Sequence, residues 1–591
     1  MKQLLLLIIL LQPFTSYGQE EEYLGAGNME GITVTASSEF EDAKAINTIN
    51  GSGLDVPSFL ASRFLAQASI GYERNMINQV RDMGIEAWIE EQFLLPPSYT
   101  TPVMQAIWNE RKNARIAIGE NEEDIFGPWA VDFNYAWWQI NMTNDDLLRH
   151  RVALALSEVL VISVFSNLND RAEALCDYYD LLLEEAFGNY EDLLYKVSIH
   201  PAMGYYLSHL NNAKANPELN QRPDENYARE IMQLFSIGLK ELNRDGTPKK
   251  ANGEDIPTYD NNDIREMARV FTGLGPGAIN ENVWWTDEPY FGLDFWGTDP
   301  TVPMKMYPDF HDQGEKKLLN GYTIPPGQTG MMDIEDAVNH LFMHPNVGPF
   351  IAYRLIQRLV KSNPSPEYVT RVVDAFEGKN GGVRGDMKNT IRAILLDPEA
   401  RNDEYLSMDE SNKLREPLLR YTHVARMVEK DSPYGRYWHN GFSTFDEFKQ
   451  HVLASPTVFN FFTPDHSPVG DISDNGLVAP EFKIHNTATS INYINKVNHW
   501  TMWWALMYSW EPDEIDDPVF TDFSRLAELA ENPDVLLNEY DVLFTHGQLT
   551  DETRAIIREA LEGITWGNYK EDRAKLGLYL LLISPDYALM K

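Results

Sequence analysis

The sequence predicts a mostly α fold: one large helical domain, or two closely packed helical lobes, with long aromatic-rich loop inserts. Apolar residues recur at spacings of three and four along most of the chain after residue 56. Alternating apolar and polar runs joined by turn pairs, which indicate strands, are scarce. The 591 residues are 43% hydrophobic and 12% aromatic, which is enough for a packed core and excludes wholesale disorder.

The N-terminus, residues 1–18, has the organisation of a signal peptide. One lysine precedes the unbroken apolar run Leu4–Leu11, and Pro13 ends this run. Ser16 and Gly18 are the small residues expected at the −3 and −1 positions of a cleavage site. The apolar run is much shorter than the roughly 20 residues that span a bilayer. We therefore predict export to the periplasm or the extracellular medium, without stable membrane insertion.

The remainder divides into a lead-in and a domain. Residues 19–55 are acidic and rich in small and hydroxyl side chains, which predicts a flexible lead-in. Residues 56–591 are predicted to form the helical domain, and several helices have start and stop signals. Asp263 is placed to cap a helix that begins at Ile264, and Pro398 is placed just after the end of another.

Residues 273–330 interrupt the helical pattern with a long insert rich in loops. Loops this long in a compact domain are usually functional or disordered, and three tryptophans in this insert argue against disorder. Trp284 and Trp285 are therefore candidate substrate-binding residues that could stack on sugar rings. Core packing is expected for the other groups of tryptophans, which are Trp137, Trp138, Trp500, Trp503, Trp504 and Trp510.

Charge and cysteine content exclude several classes of protein. The chain has 89 Asp and Glu against 49 Lys and Arg, a formal net charge of −40. Nucleic-acid binders and proteins that bind anionic membranes need a basic surface, so neither nucleic acid nor such a membrane is an expected partner. Cys176 is the single cysteine. It excludes an intramolecular disulfide and, in an amphipathic helical pattern, is predicted to be buried.

Several segments, in order, resemble the bacterial family called domain of unknown function 1800. DENYAREIMQLFSIG, residues 224–238, resembles the family signature, and RFLAQASIG, LRHRVALALSEVLVIS, FHDQGEKKLLNG and SPTVFNFFTPDHSPVG agree with it. The resemblance extends from about residue 56 to the C-terminus. It implies a secreted, largely helical protein without an assigned activity. Genes of this family often neighbour those of a second secreted family, domain of unknown function 1501, so a co-secreted member of that family is a candidate partner.

The signature contains the first candidate site. Asn226, Arg229 and Glu230 are spaced i, i+3 and i+4, which predicts one helical face, and nearby apolar residues predict that this face turns inward. Asn226 and Arg229 are candidate substrate-binding residues for an anionic group. Glu230 is a candidate catalytic base if burial raises its pKa. The alternative is a structural salt bridge between helices.

The second candidate site is the segment HDQGEK, which matches the family's HD-x-G-x-K pattern and lies in the insert. His311 is a candidate general acid or base, because histidine exchanges protons near neutral pH. Asp312 is a candidate catalytic residue that orients it, and Lys316 is a candidate substrate-binding residue for an anion. The alternative is a loop clamp, in which Asp312 caps the loop and Lys316 pairs locally.

Two further groups of residues bear on chemistry. Asp336, His340 and His344 share one helical stripe, but the glutamate of a metalloprotease motif is missing and a proline follows His344, so a metal is disfavoured. We predict no cofactor, since P-loop and Rossmann glycine patterns are missing from the sequence. Glu158 lies in an apolar helix, where a buried carboxylate needs a cation. Arg149 or Arg229 are the candidates for that cation.

Two functions remain open at this point. One is a hydrolase- or lyase-like enzyme for an envelope or extracellular substrate, with its site between the signature helix and the HDQGEK loop. The other is a non-catalytic scaffold or binding protein that works with a co-secreted partner. If Arg229, Glu230 and His311 surround an open pocket within roughly 6 Å of one another, the enzyme is favoured. If they are sealed in separate contacts, the scaffold is favoured.

Overall fold

The computed structural model describes residues 56–379, 381–402, 411–441, 444–503, 505–507 and 518–590. The predicted signal peptide 1–18, the lead-in 19–55, Trp504 and Trp510 lie outside the described residues.

The predicted mostly α fold is confirmed: the described residues form 25 α-helices and eleven short strands. The helices that precede the insert are α1 Val56–Ala68, α2 Arg74–Met83, α3 Ile85–Leu94, α4 Thr100–Ala117, α5 Ala130–Thr143, α6 Leu147–Ser157, α7 Ala172–Glu185, α8 Tyr190–Ile199, α9 Pro201–Tyr206, α10 Asn226–Gln233 and α11 Asn261–Val270. Those that follow it are α12 Gly330–Phe342, α13 Val347–Leu359, α14 Pro366–Phe376, α15 Met387–Leu396, α16 Pro398–Arg401, α17 Pro417–Met427, α18 Thr444–Phe448, α19 Asp471–Asp474, α20 Thr487–Met502, α21 Ser524–Leu529, α22 Pro533–Tyr540, α23 Asp551–Glu562, α24 Tyr569–Leu582 and α25 Pro585–Ala588.

The strands are two to four residues long and pair in antiparallel fashion. Four two-stranded sheets join β1 with β2, β3 with β4, β5 with β6 and β7 with β11, and β10 lies between β8 and β9 in a three-stranded sheet. Their bounds are β1 Lys250–Ala251, β2 Glu254–Asp255, β3 Leu274–Gly275, β4 Lys305–Met306, β5 Lys316–Lys317, β6 Thr323–Ile324, β7 Lys413–Leu414, β8 Glu429–Asp431, β9 Ala505–Met507, β10 Val519–Asp522 and β11 Leu589–Met590.

Two helix boundaries were predicted from capping and proline signals. The structure corrects the first and confirms the second. Asp260, not Asp263, is the N-cap of α11, and the helix begins three residues before Ile264. The Asp260 carboxylate accepts from the N–H groups of Asn262 and Asp263, while the Asp263 side chain accepts from Asp260 N–H, which completes a capping box. Pro398 follows the end of α15 as predicted, and it begins the short helix α16.

A single large core supports one helical domain rather than two lobes. One cluster of buried apolar residues extends from α1 to β11. Trp137, Trp138 and Trp500 lie in it, as predicted, whereas Trp503 is 54% exposed and core packing is wrong for that residue. Cys176 is buried as predicted, and burial raises the pKa of its thiol well above the usual value. Within the described part of the chain, no helix combines the length and the apolar character needed to cross a membrane.

The insert consists of a two-stranded sheet at its base and a long connection between the two strands. Strands β3 and β4 form its base, with Leu274 opposite Met306. Residues 276–304, which we call the outer arm, connect these strands. The HDQGEK loop follows, and β5 pairs with β6 before α12 begins.

Candidate functional site

The HDQGEK loop is fixed in the interior. His311 is fully buried and Lys316 is 1% exposed. Both side chains converge on Asp333 of α12, which is also buried: His311 Nε2 lies 3.0 Å from Asp333 Oδ2, and Lys316 Nζ donates to the same oxygen at 2.5 Å. Although burial acts to raise it, these two hydrogen bonds lower the pKa of Asp333.

The other polar atoms of His311 and Lys316 also have partners inside the protein. His311 Nδ1 lies 2.7 Å from the carbonyl oxygen of Thr272. Both ring nitrogens of His311 therefore have acceptors inside the protein. Lys316 Nζ donates to the carbonyl oxygens of Asp312 at 2.6 Å and Gly314 at 3.2 Å, so its three N–H groups have three acceptors.

Asp312 fastens the loop to a second helix. Its carboxylate accepts two hydrogen bonds from Arg269 of α11, from Nε at 2.8 Å and from Nη2 at 3.1 Å. Burial acts to raise the pKa of Asp312, but these bonds and one from Gly314 N–H lower it to about 2. Arg269 also pairs with Glu266, at 2.7 Å. The loop therefore holds the insert between α11 and α12, which is the geometry of a clamp.

The signature helix α10 does not form the inward-facing set of three residues that the spacing predicts. Only Glu230 is buried, whereas Asn226 is exposed and Arg229 is 42% exposed and pairs with Glu225 at 3.6 Å. The prediction that Asn226 and Arg229 turn inward with Glu230 is wrong. The buried stripe consists of Tyr227, Ala228, Ile231 and Met232; Glu230 lies at its edge, and Asn226 and Arg229 lie on the opposite side of the helix.

Glu230 is near two phenols, those of Tyr206 and Tyr259. Burial raises the pKa of its carboxyl, with Arg229 acting in the opposite direction, and its Oε2 atom has no hydrogen-bond partner in the described structure. Burial and the Glu230 carboxylate together raise the pKa of Tyr206 and of Tyr259 to about 12.

Glu158 has a partner that the sequence did not indicate. Its Oε2 atom lies 3.2 Å from Nη1 of Arg358, in α13, so the expected pairing with Arg149 or Arg229 is wrong. Arg149 instead donates to the carbonyl oxygens of Leu183 and Leu95, at 2.9 and 3.1 Å. The spacing of residues in the sequence could not indicate this ion pair, because Glu158 and Arg358 are far apart along the chain.

The histidines of α12 have structural partners. His340 Nε2 lies 3.0 Å from the carbonyl oxygen of Leu319, and its ring stacks on Tyr322 with the centroids 4.4 Å apart. His344 follows the end of α12, as its proline predicts, and its Nδ1 accepts from Asn346 N–H. Among the described residues, no group of three or more His, Cys, Asp or Glu is arranged to hold a metal.

The outer arm presents its tryptophans to solvent. Trp284 is 87% exposed, Trp285 is 51% exposed and Trp296 is 53% exposed. The rings of Trp284 and Trp285 meet edge to face, with centroids 6.0 Å apart and planes at 89°. Tyr290 is exposed on the same arm.

Contacts on its inner side hold the outer arm in place. Phe295 stacks on Tyr205 of α9, with ring centroids 4.3 Å apart. Arg171, at the start of α7, donates to the carbonyl oxygens of Phe295 at 2.6 Å and Thr298 at 3.0 Å. Asn211 donates to the carbonyl oxygen of Leu293 at 2.8 Å. The exposed rings are therefore mounted on an anchored base, which reduces the entropy that binding would cost.

The outer arm is strongly acidic. Between residues 275 and 304 the sequence has five carboxylates and no lysine, arginine or histidine. Four of these carboxylates are exposed and, over the described residues, take part in no ion pair; they are Glu281, Asp287, Glu288 and Asp294. The arm therefore combines exposed indole rings with an excess of negative charge.

An open cleft of about 470 Å³ lies between α4, α7 and the junction of α8 with α9, and Pro303, near the end of the outer arm, forms part of its wall. Asp177, Asp180, Glu184 and His200 line it, and none of them was a candidate site residue from the sequence. The three acids are spaced i, i+3 and i+7 along α7, which places them on one helical stripe. This acidic stripe was the sequence signal that could have indicated the cleft. It was a weak signal, because acidic stripes on helices usually face solvent.

Comparisons with known proteins give one match. The sequence model of the family described as "Protein of unknown function (DUF1800)" matches residues 63–589, which include the clamp, the outer arm and the cleft. No curated protein and no solved structure matches the chain.

Proposed function

This chain belongs to the DUF1800 family, and for this member we propose an exported, non-catalytic binding protein whose outer arm docks a basic segment of a partner protein. The observation that carries the proposal is the exposure of Trp284, Trp285 and Trp296 above an anchored base. Large exposed aromatic patches mark interaction sites on soluble proteins, and tryptophan is enriched among residues that dominate binding energy.

Charge favours a basic partner over a neutral one. A guanidinium or ammonium group is attracted to the face of an indole ring, and arginine in particular stacks on aromatic faces. The four exposed carboxylates of the outer arm take part in no ion pair within the described protein, and only Asp294 lies near enough to Arg171 to interact with its charge, so a basic segment would offset the remaining negative charge. The edge-to-face arrangement of Trp284 and Trp285 offers two differently oriented ring faces rather than one flat platform for a sugar.

The arrangement of the family motifs supports a scaffold over a hydrolase- or lyase-like enzyme. Proton transfer by His311 needs a ring nitrogen available to a substrate, but both nitrogens face Thr272 and Asp333 in the interior. Lys316 has three internal acceptors and so has no free donor for an anionic group. Glu230, the other proposed catalytic group, lies beside Tyr206 and Tyr259 instead.

Export and the identity of the partner are parts of the same proposal. The apolar run Leu4–Leu11 supports export, and fractionation of cells that express the chain with and without residues 1–18 tests it. A co-secreted protein of the domain of unknown function 1501 family is a candidate partner. To fill this role it needs an exposed segment that carries arginine or lysine.

Calorimetric titration of the full chain tests the docking role. The probes are a short peptide of alternating arginine and glycine, its counterpart with glutamate for arginine, and a neutral glucose oligosaccharide. We expect the arginine peptide to bind and its affinity to fall as ionic strength rises. The double variant Trp284→Ala, Trp285→Ala should lose at least about tenfold in affinity, since each ring is a large contact surface.

Trp566 provides a matched control, because it is 79% exposed but lies outside the insert, between α23 and α24. Trp566→Ala should bind the arginine peptide as the wild type does. The proposal is wrong if the oligosaccharide or the glutamate peptide binds better than the arginine peptide. It is equally wrong if the double variant keeps the wild-type affinity.

A further inference from the structure

We propose that the cleft lined by α4, α7 and the α8–α9 junction is a second binding site, for a small organic cation: a guanidinium or ammonium group on an apolar body. This site is separate from the clamp and from the exposed rings of the outer arm. The inference does not depend on the docking role proposed above.

The size and the walls of the cleft suit a small molecule. Its volume of about 470 Å³ lies within the range of roughly 300–1,000 Å³ that is typical of small-molecule sites. Much of the lining is apolar; the residues concerned are Tyr99, Pro102, Leu181, Ile199, Pro201 and Pro303. Such walls favour a ligand with an apolar body, and the polar groups among them decide its charge.

A buried histidine orients one carboxylate at the cleft. His200 is 5% exposed, and its Nδ1 atom accepts from Ala202 N–H at the start of α9. The ring proton is therefore on Nε2, which donates to Asp177 Oδ2 at 3.0 Å. Asp177 keeps 34% of its side chain exposed, so a carboxylate held from behind faces the cleft. With both nitrogens engaged, His200 is a positioning residue rather than a base.

The remaining charges leave the cleft with an excess of carboxylates. Asp180 accepts from Thr100 N–H at 2.6 Å and Thr101 N–H at 2.9 Å, and burial raises its pKa in spite of these bonds. The Nζ atom of Lys196 already lies 3.3 Å from Glu184 and 2.6 Å from Glu185. The only lysine of the lining is therefore neutralised, and Asp177 is the group placed to receive a cation.

A pair of isosteric ligands tests this inference on the full chain. N-benzoyl-arginine amide carries a guanidinium on an apolar body, and N-benzoyl-citrulline amide replaces it with a neutral ureido group of the same shape. By calorimetric titration we expect the arginine compound to bind about tenfold more tightly or better. Asp177→Asn should abolish this preference while the thermal melt stays near that of the wild type, because Asp177 is partly exposed.

Asp474→Asn is the matched control, since it makes the same change at an exposed position in the short helix α19. This variant should keep the preference for the arginine compound. The site is refuted if the two compounds bind equally, if neither binds at about 1 mM, or if Asp177→Asn keeps the preference. Neither substitution lies on the outer arm, so failure here would leave the docking proposal standing.

Discussion

His311 Nε2 and Asp333 Oδ2 lie 3.0 Å apart in the interior, and this contact joins the HDQGEK loop to α12. The same oxygen accepts from Lys316, so one carboxylate joins two side chains of the loop to α12. Burial of all three makes the arrangement sensitive to loss of any one, because an unpaired charge in the interior is costly. We infer that the HD-x-G-x-K pattern fastens the insert to the domain.

The variant Asp333→Asn tests the clamp. It removes the negative charge and leaves His311 and Lys316 buried beside a neutral amide. We expect a loss of about 3–5 kcal/mol in the free energy of unfolding, as for other buried ion pairs that lose one partner. Urea unfolding followed by circular dichroism measures it. Glu335→Gln, an exposed position in the same helix, is the control, and equal stabilities for the two variants would contradict the clamp.

Substitution of a buried tryptophan should destabilise the protein, whereas substitution of an exposed tryptophan should leave its stability nearly unchanged. Trp138 is 1% exposed and its Nε1 donates to His451 Nε2 at 2.9 Å, so Trp138→Ala should cost about 3–5 kcal/mol of stability. Trp284→Ala should change stability by no more than about 0.5 kcal/mol, because 87% of its side chain is exposed. Thermal and urea melts of both variants measure the contrast. A large loss for Trp284→Ala would show that the outer arm contributes to folding.

The buried carboxyl of Glu158 should make stability depend on pH. Burial and the nearby Glu416 raise its pKa from 4.5 to about 8, against the lowering effect of Arg358. Because the folded value exceeds the unfolded one, its stabilising contribution is complete below about pH 4.5 and is lost as pH rises through about 8. Wild-type stability should therefore fall between about pH 5 and 8, and Glu158→Gln should not show this fall. Urea melts across this range, with Glu335→Gln as control, would refute the assignment if all three slopes were parallel.

Arg171 should control the rigidity of the outer arm. Its guanidinium donates to three carbonyl oxygens of the arm and lies over the ring of Phe295, 5.1 Å from the centroid. Arg171→Ala should speed amide exchange in residues 280–300 and leave exchange in α7 nearly unchanged. Hydrogen exchange measured by mass spectrometry compares this variant with Arg222→Ala, an exposed arginine. Unchanged exchange in the arm would mean that the stacking of Phe295 on Tyr205 is sufficient.

Features that depend on residues close together in the sequence could be predicted, and features that depend on tertiary packing could not. The capping carboxylate of α11 was expected, but it is Asp260 rather than Asp263, since two acids at i and i+3 can exchange these roles in a capping box. The exposure of Trp284 followed from its place in a loop-rich insert. The spacing of Asn226, Arg229 and Glu230 located a helix but not its buried face, because a short helix of eight residues has few apolar positions to fix its orientation.

The sequence by itself determined the helical class, the extent of the insert and the family, because apolar periodicity and ordered motifs are properties of neighbouring residues. Only the tertiary structure decided which polar groups meet. Asp333 joins His311, Arg358 joins Glu158, and His200 turns Asp177 toward the cleft. These pairs connect separate elements of the fold, and their energies depend on burial, which sequence spacing does not encode.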